Sequence, residues 1–348
     1  MRWLWRQVRR LLLVALVVVL GLASPVVYVE TMCRGDATPA PSVPLSEETR
    51  PEIRTLLTYP EWHIVHAYDD YAEVIRTGDP HDFSFLRAIG GYWGSLCTLT
   101  EQSAALGEID GPTRQLVHVI GVSFTVEMLA KAAYEETLGR VATWIRGPEH
   151  SALDTVSAEQ AASYATFLQQ VPWYRYDFLS DLAALRAASE VSFRDRERSF
   201  ALGVEYRGKA AYAGVIGKAV AATGQDDLTL QMIVTFLPED VLEASEGVRV
   251  LRRTDAGIEV ETPRYRRLTA LLAEWAGEGA QYVDIAGNDQ IMFTAISDRP
   301  VEAGAIADLP RQGYGDTRHL FLVPVTELAD WLRSLSDRGL RLEHIHDY

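Results

Sequence analysis

The 348 residues predict an α + (α+β) protein: an N-terminal transmembrane helix, then a duplicated helical bundle, then a C-terminal ferredoxin-like α+β sandwich. Three observations carry this prediction. An uncharged apolar run stands near the start of the chain. Apolar residues then recur at helical spacing from Tyr59 to Gly224, and from about residue 225 onward the pattern changes once, to strands alternating with helices.

Residues 1–10 make a basic cytoplasmic tail, with Arg2, Arg6, Arg9 and Arg10 and no acid. Leu11 to Val29 follows without a charge. At about 1.5 Å per residue it is long enough to cross a hydrocarbon core of roughly 30 Å. With arginines before it and Glu30 after it, the positive-inside bias predicts a single-pass bacterial inner-membrane protein, N-terminus cytoplasmic and bulk periplasmic. The rival reading is a cleaved signal peptide, because Gly21-Leu22-Ala23 fits a small-x-small site; the apolar run, however, outlasts an ordinary signal core and continues past that site. Setting the four arginines aside leaves 29 basic residues against 48 acidic ones, a surface that repels phosphate backbones and argues against a nucleic-acid partner. The two cysteines, Cys33 and Cys97, would both lie in an oxidising compartment, and a bridge between them is predicted; the alternative is two unpaired thiols.

Residues 30–58 include a proline-rich segment and read as a stalk. The bundle, 59–224, opens with Trp62, Val65, Tyr68, Ala72 and Ile75 on one helical face. Further helices are predicted over Phe83–Leu106, Thr113–Ile145, Ser157–Gln170, Tyr176–Ala188 and Phe193–Thr223, with Ser157 and Gln160 as a capping box. In the α+β domain, 225–348, strands are predicted at Leu228–Phe236, across a hairpin within Val248–Glu261, and at Gln281–Ala286, Gln290–Ile296, Arg318–Val323 and Leu340–His346. Helices are predicted from Thr262 to Gly277 and from Thr326 to Asp337, and Gly287-Asn288 reads as a hairpin turn.

The most informative feature is a repeat. VEMLAKAAYEETLGR (Val126–Arg140) and VEYRGKAAYAGVIGK (Val204–Lys218) align without gaps, sharing Val-Glu, Lys-Ala-Ala-Tyr and Gly. Lys131, Lys209 and Lys218 are the only lysines in the chain, so composition does not explain the match. Upstream, Phe85-Leu86-x-x-Ile89-x-x-Tyr92 matches Phe167-Leu168-x-x-Val171-x-x-Tyr174. A tandem duplication predicts a pseudo-two-fold bundle. At 100° per residue, Glu127 and Lys131 share the apolar face with Phe124, Ile120, Leu138 and Ile145, and Glu205 and Lys209 share theirs with Leu202, Tyr206, Ile216 and Val220. Charges on an apolar face need partners, and Tyr134 and Tyr212 are the nearby donors. Glu127, Lys131, Tyr134, Glu205, Lys209 and Tyr212 are therefore the candidate polar cluster, either a structural network or the lining of one polar cavity. No metal or cofactor is predicted there, since the Glu-x-x-His of di-iron bundles is missing.

Weaker constellations stand beside it. His344 and His346 project from one face of the last strand, as two metal ligands would, but no third ligand is evident; a polar sheet face is expected, with Glu343 and Asp347 on the opposite side. His63, His66 and Asp70 read as a solvated helix flank, and Gly90, Gly91 and Gly94 as a seat for close helix packing around Trp93. G-x-S-x-G, H-E-x-x-H and dinucleotide fingerprints are absent from the sequence.

YPEWHIVHAYDDYAEV, GGYWGSLC and the two repeat segments resemble bacterial single-pass envelope proteins that carry no assigned function. The resemblance implies an envelope address and no catalytic residue. The expectation is a membrane-anchored periplasmic binding or scaffold protein, its partners the inner membrane and an envelope protein or small-molecule ligand. The alternative is an envelope enzyme using the Glu/Lys pair of each repeat as acid–base groups.

Overall fold

The apolar run forms the middle of one continuous helix, α1 (Arg2–Met32), in a computed structural model that describes residues 2–35, 52–57, 59–188, 191–223 and 228–346. From Trp5 onward α1 is long and apolar enough to cross a membrane, and fits a transmembrane helix or a signal sequence. Its last turns do not leave the body. Val29 and Cys33 are buried in the helical core, Glu30 binds His118 at 2.7 Å, and Cys33 is bridged to Cys97 with their Cα atoms 5.1 Å apart. That bridge points to an oxidising compartment. The stalk expected over 30–58 is corrected at its described ends: helix α2 (Glu52–Leu57) buries Leu56 and Leu57, apolar surface that an extended chain would leave in water. Residues 36–51 lie outside the described residues.

Seven helices follow, close to the predicted ones: α3 (Tyr59–Thr77), α4 (Phe85–Ser103), α5 (Gly111–Tyr134), α6 (Arg140–Arg146), α7 (Ala152–Leu168), α8 (Phe178–Ala187) and α9 (Phe193–Thr223). Asp110 caps α5, accepting from the Thr113 amide at 2.8 Å. The capping box of α7 is Ser151 with Asp154, not Ser157 with Gln160, which are buried inside the helix. A π turn over Glu135–Gly139 joins α5 to α6 and advances the following residues by about 100°. Leu138 and Ile145, expected on the face of Glu127, therefore stand exposed. Gly91 is the glycine that packing requires: a Cβ there would lie 2.3 Å from the His63 ring, whereas one at Gly90 or Gly94 meets nothing within 4 Å.

The C-terminal part holds two four-stranded antiparallel sheets where one was expected. The first comes from β1 (Thr229–Thr235), α10 (Glu239–Ala244), β2 (Arg249–Thr254), β3 (Gly257–Pro263), α11 (Arg266–Gly277) and β4 (Gln281–Ile285), in the order β2-β3-β1-β4. The second comes from β5 (Gln290–Ser297), β6 (Ala307–Pro310), β7 (Thr317–Pro324), α12 (Val325–Ser334) and β8 (Arg341–His346), in the equivalent order β6-β7-β5-β8. Gly287-Asn288 does not close a hairpin; with the Asp284 carboxylate accepting from the Gly287 amide at 2.8 Å, the turn hands the chain from one sheet to the other. The second sheet is covered on both faces. Phe293, Ala295, Phe321 and Ile345 pack with α12 and the first sheet, while Met292 and Leu320 join the core of the helical region.

Candidate functional site

Helices α5 and α9 lie antiparallel, and the paired charges of the two repeat segments meet between them. Lys209 Nζ stands 3.0 Å from Glu127 Oε1, Lys131 Nζ stands 2.8 Å from Glu205 Oε1, and Lys209 also reaches Glu205 at 3.0 Å within its own helix. Each carboxylate thus takes the lysine of the other helix. From α3, the Tyr68 hydroxyl donates to Glu127 at 2.5 Å and accepts from Lys209 at 3.1 Å. Both ammonium groups sit over rings, Lys131 at 4.9 Å from the Tyr71 centroid and Lys209 at 4.7 Å from that of Tyr68, contacts that favour the charged form.

Burial pushes the Glu205 carboxyl up, but Lys131 and Lys209 together outweigh it and bring it down to about 2. Burial acts on Glu127 in the same way, and the same two lysines hold it below the usual carboxylate range. On Lys209 burial pulls down, yet Glu127, Tyr68 and Glu205 hold it well above an ordinary lysine. These three groups stay ionised across the neutral range, and none of them is poised to exchange a proton there. The cavity beside them, lined by Tyr68, Tyr71, Tyr164, Lys131 and Lys209 among others, measures about 30 Å³, the space of about one water molecule. A larger hollow of about 600 Å³ lies elsewhere, between α10 and α11, beside Glu246, Arg267 and Glu274.

The two expected tyrosine donors are placed differently. Tyr134 donates to Glu197 at 2.6 Å, further along the same seam, and Tyr212 is half exposed and packs its ring on Trp173. Tyr68 takes their role; its hydroxyl comes from a third helix, which the periodicity of α5 and α9 does not report. The seam also extends beyond the repeats. Arg198 binds Glu135 and Glu197 at 3.0 and 2.6 Å, Arg194 binds Glu197 and Asp154 at 2.7 and 2.8 Å, and Arg146 binds Asp154 and Asp79, both at 2.8 Å. Arg194 and Arg198 are among the largest fully buried side chains, and the RDRER run (194–198) in the first turns of α9 is the signal that marks them.

A second polar cluster lies where α3 meets the second sheet. His63, His66 and Asp70 are buried rather than solvated, because the sheet covers that flank of α3. Trp62 packs on His344 with ring centroids 3.6 Å apart and the planes tilted by 31°, and the His346 ring lies 4.9 Å from that of His344 and 6.3 Å from that of His66. His344 and His346 do share one face, as the alternation predicts, but it is buried against α3. Glu343 joins that face instead of opposing it: Thr294 pairs with His344 and Ala295 with Leu342, so Glu343 is the extra residue of a bulge, and it binds Arg318 at 2.5 Å. Asp347 lies outside the described residues. Among the described residues, His344 and His346 do not converge with a third ligand. Among the described residues, groups of three whose ligand atoms lie within 4.8 Å of one another occur at Cys33, Cys97 and Glu101 and at Asp79, His81 and Asp82. The cysteines are spent on the disulfide, and Asp79 on Arg146. Burial pushes His63 down to about 4 and His344 to about 3, and holds His66 and His346 well below the ordinary value. Burial raises the Asp70 carboxyl to about 7 despite Arg318, the Gln312 amide and Arg311.

Comparison with protein-family models, with curated proteins and with solved structures finds no match to this chain.

Proposed function

We propose that this chain is a membrane-anchored periplasmic scaffold or binding module, held in the inner membrane by α1 with its N-terminus in the cytoplasm, whose helical region is a rigid platform and whose sheets provide contact surface. The observation that carries this reading is the closure of the seam: four charged groups satisfy one another and Tyr68, and leave about 30 Å³ beside them. Such an arrangement fixes helix register and leaves little room for a metabolite. The exchange of partners, Glu127 with Lys209 and Glu205 with Lys131, supports reading α5 and α9 as copies of one ancestral helix. The order β-α-β-β-α-β with strands β2-β3-β1-β4 supports reading the first sheet as a ferredoxin-like unit, and the second as a like unit lacking its first helix. The apolar α1, the disulfide and the resemblance carried by the helical motifs support the envelope address.

Glu127→Gln and Glu205→Gln test the reading. Each is expected to lower stability by about 2–3 kcal/mol, below the roughly 3–5 kcal/mol of a fully buried broken pair because these groups are partly exposed. Thermal melts read the loss. An unchanged melting temperature together with a lost ligand-induced shift would instead assign the seam to ligand binding or acid–base chemistry.

A further inference from the structure

Outside α1, most of the large apolar side chains that stand exposed among the described residues lie on α5, α6 and α9. On α5 they include Val119, Val126 and Leu129; on α9, Phe200, Val204 and Val215. From Gln115 to Ala133 none of the exposed residues of α5 carries a charge, and the exposed Glu136 and Arg140 that follow pair with each other. The uncharged stretch is about 28 Å long at 1.5 Å per residue. The segment Gly111–Arg146 is, by length and composition, apolar enough to cross a membrane, and most of its apolar stretch is not buried. A contiguous apolar surface of this kind marks an interaction site.

The two stripes face the same way. At 100° per residue, the exposed stripe of each helix lies about a quarter to a third of a turn to the same rotational side of its seam residues. In α5 the reference is Glu127 and Lys131, in α9 Glu205 and Lys209. Because the helices are antiparallel across that seam, the same rotation in each puts both stripes on one side of the pair.

What covers this side follows from the anchor. The uncharged run of α1 ends at Val29, yet Leu22, Ala23, Pro25 and Val26 are already half-buried and Val29 is fully buried. Glu30 then binds His118 at 2.7 Å and faces Arg114 at 3.6 Å, both on α5. If α1 crosses the bilayer, the body touches it within the last half of the span, at the depth of the leaflet nearest the body. A protein surface at that depth must be apolar. The exposed charges of α9 are all basic, Arg196, Arg207 and Lys218, which suit lipid phosphates in spite of the acidity of the chain as a whole.

We propose that the apolar face formed by α5, α6 and α9 rests in the membrane leaflet nearest the body, so that the chain is held by one spanning helix and by a second, lipid-contacting surface. The proposal rests on reading α1 as an uncleaved anchor. The test uses the full chain reconstituted in lipid nanodiscs with the Cys33–Cys97 bridge intact. Val126→Cys and Val204→Cys, both at exposed positions, carry a nitroxide label, and Val301→Cys on an exposed loop of the sheet region is the control. Collision with oxygen, which partitions into lipid, is compared with collision with a water-soluble nickel chelate. The oxygen-to-nickel ratio at 126 and 204 is expected to exceed that at 301 several-fold. Equal ratios at all three positions place the face in water and overturn the proposal. Loss of both collisions at 126 and 204 means that protein, a second copy or another chain, covers the face, and overturns it too. A chain that does not stay with the lipid at all overturns the anchor reading and the proposal with it, and that result is separate from a chain that inserts but keeps its labels in water.

Discussion

The Tyr68 hydroxyl donates a hydrogen bond to Glu127 and accepts one from Lys209, while its ring lies beneath the Lys209 ammonium. Tyr68→Phe keeps the ring and removes both hydrogen bonds. Urea unfolding is expected to show a loss of about 1.5–3 kcal/mol, the range for hydrogen bonds to charged groups. The effect of Tyr68→Phe should shrink when Lys209→Met is already present, and an undiminished effect would mean that the two side chains are not coupled. The charged half of this site was legible: four residues placed on apolar helix faces by their spacing had to find partners, and they found one another. The hydroxyl was not. Spacing says which residues share a face of one helix, and it is silent on which other helix lays a side chain across that face.

At the scale of elements, α4 offers a paired test. Gly91→Ala drives a methyl group into the His63 ring, which is itself held by its contact with the Ala88 carbonyl at 2.9 Å, so a loss of about 1–3 kcal/mol is expected. Gly94→Ala meets nothing within 4 Å and is expected to stabilise α4 by about 0.5–1 kcal/mol through helix propensity. Chemical denaturation of the two variants decides the matter, and equal effects would remove the close approach of α3 and α4 as a packing constraint. The helices were readable because each carries a long apolar period and clear end signals, as Asp110 and Pro112 do for α5. Local departures from the period were not. The π turn at Glu135–Gly139 rotates Leu138 and Ile145 into the open, and the bulge at Glu343 turns a residue expected on the far face toward Arg318. β6 is only four residues, Ala307–Pro310, too short for alternation to register.

At the scale of the whole molecule, the junction between α3 and the second sheet sets the response to acid. Unfolded, its histidines take up protons near 6.5; folded, His63 resists until about 4, His344 until about 3, and His66 and His346 lie well below the ordinary value. Between those limits the unfolded chain binds more protons, so the stability held above about 6.5 is lost as the pH falls. Asp70 opposes this. Its folded carboxyl keeps its proton up to about 7 while the unfolded one releases it near 3.8, so its contribution declines as the pH rises through that window. Four imidazoles outweigh one carboxyl. Glu205, brought down to about 2 from 4.5, adds a further loss below 4.5. The melting temperature is expected to fall from about pH 6.5 downward and more steeply below 4.5, and His344→Gln should flatten the upper part of the slope. A flat profile from pH 7 to 5 would exclude the histidines as its source. The junction was misread from sequence for one reason: His63, His66 and Asp70 look like a solvated flank until a second body is laid on them, and periodicity within one helix does not report that body.

The union of α1 with the body through Val29, Glu30 and the Cys33–Cys97 bridge removes any swivel between that helix and the rest of the chain. A tether on a loose cord lets its cargo sample every tilt and height above a membrane; a mast welded at its collar does not. With α1 as the membrane anchor proposed above, anything that docks on the sheets of this protein would meet them at one elevation and one heading, and a sideways push on the cargo would reach the helix as torque.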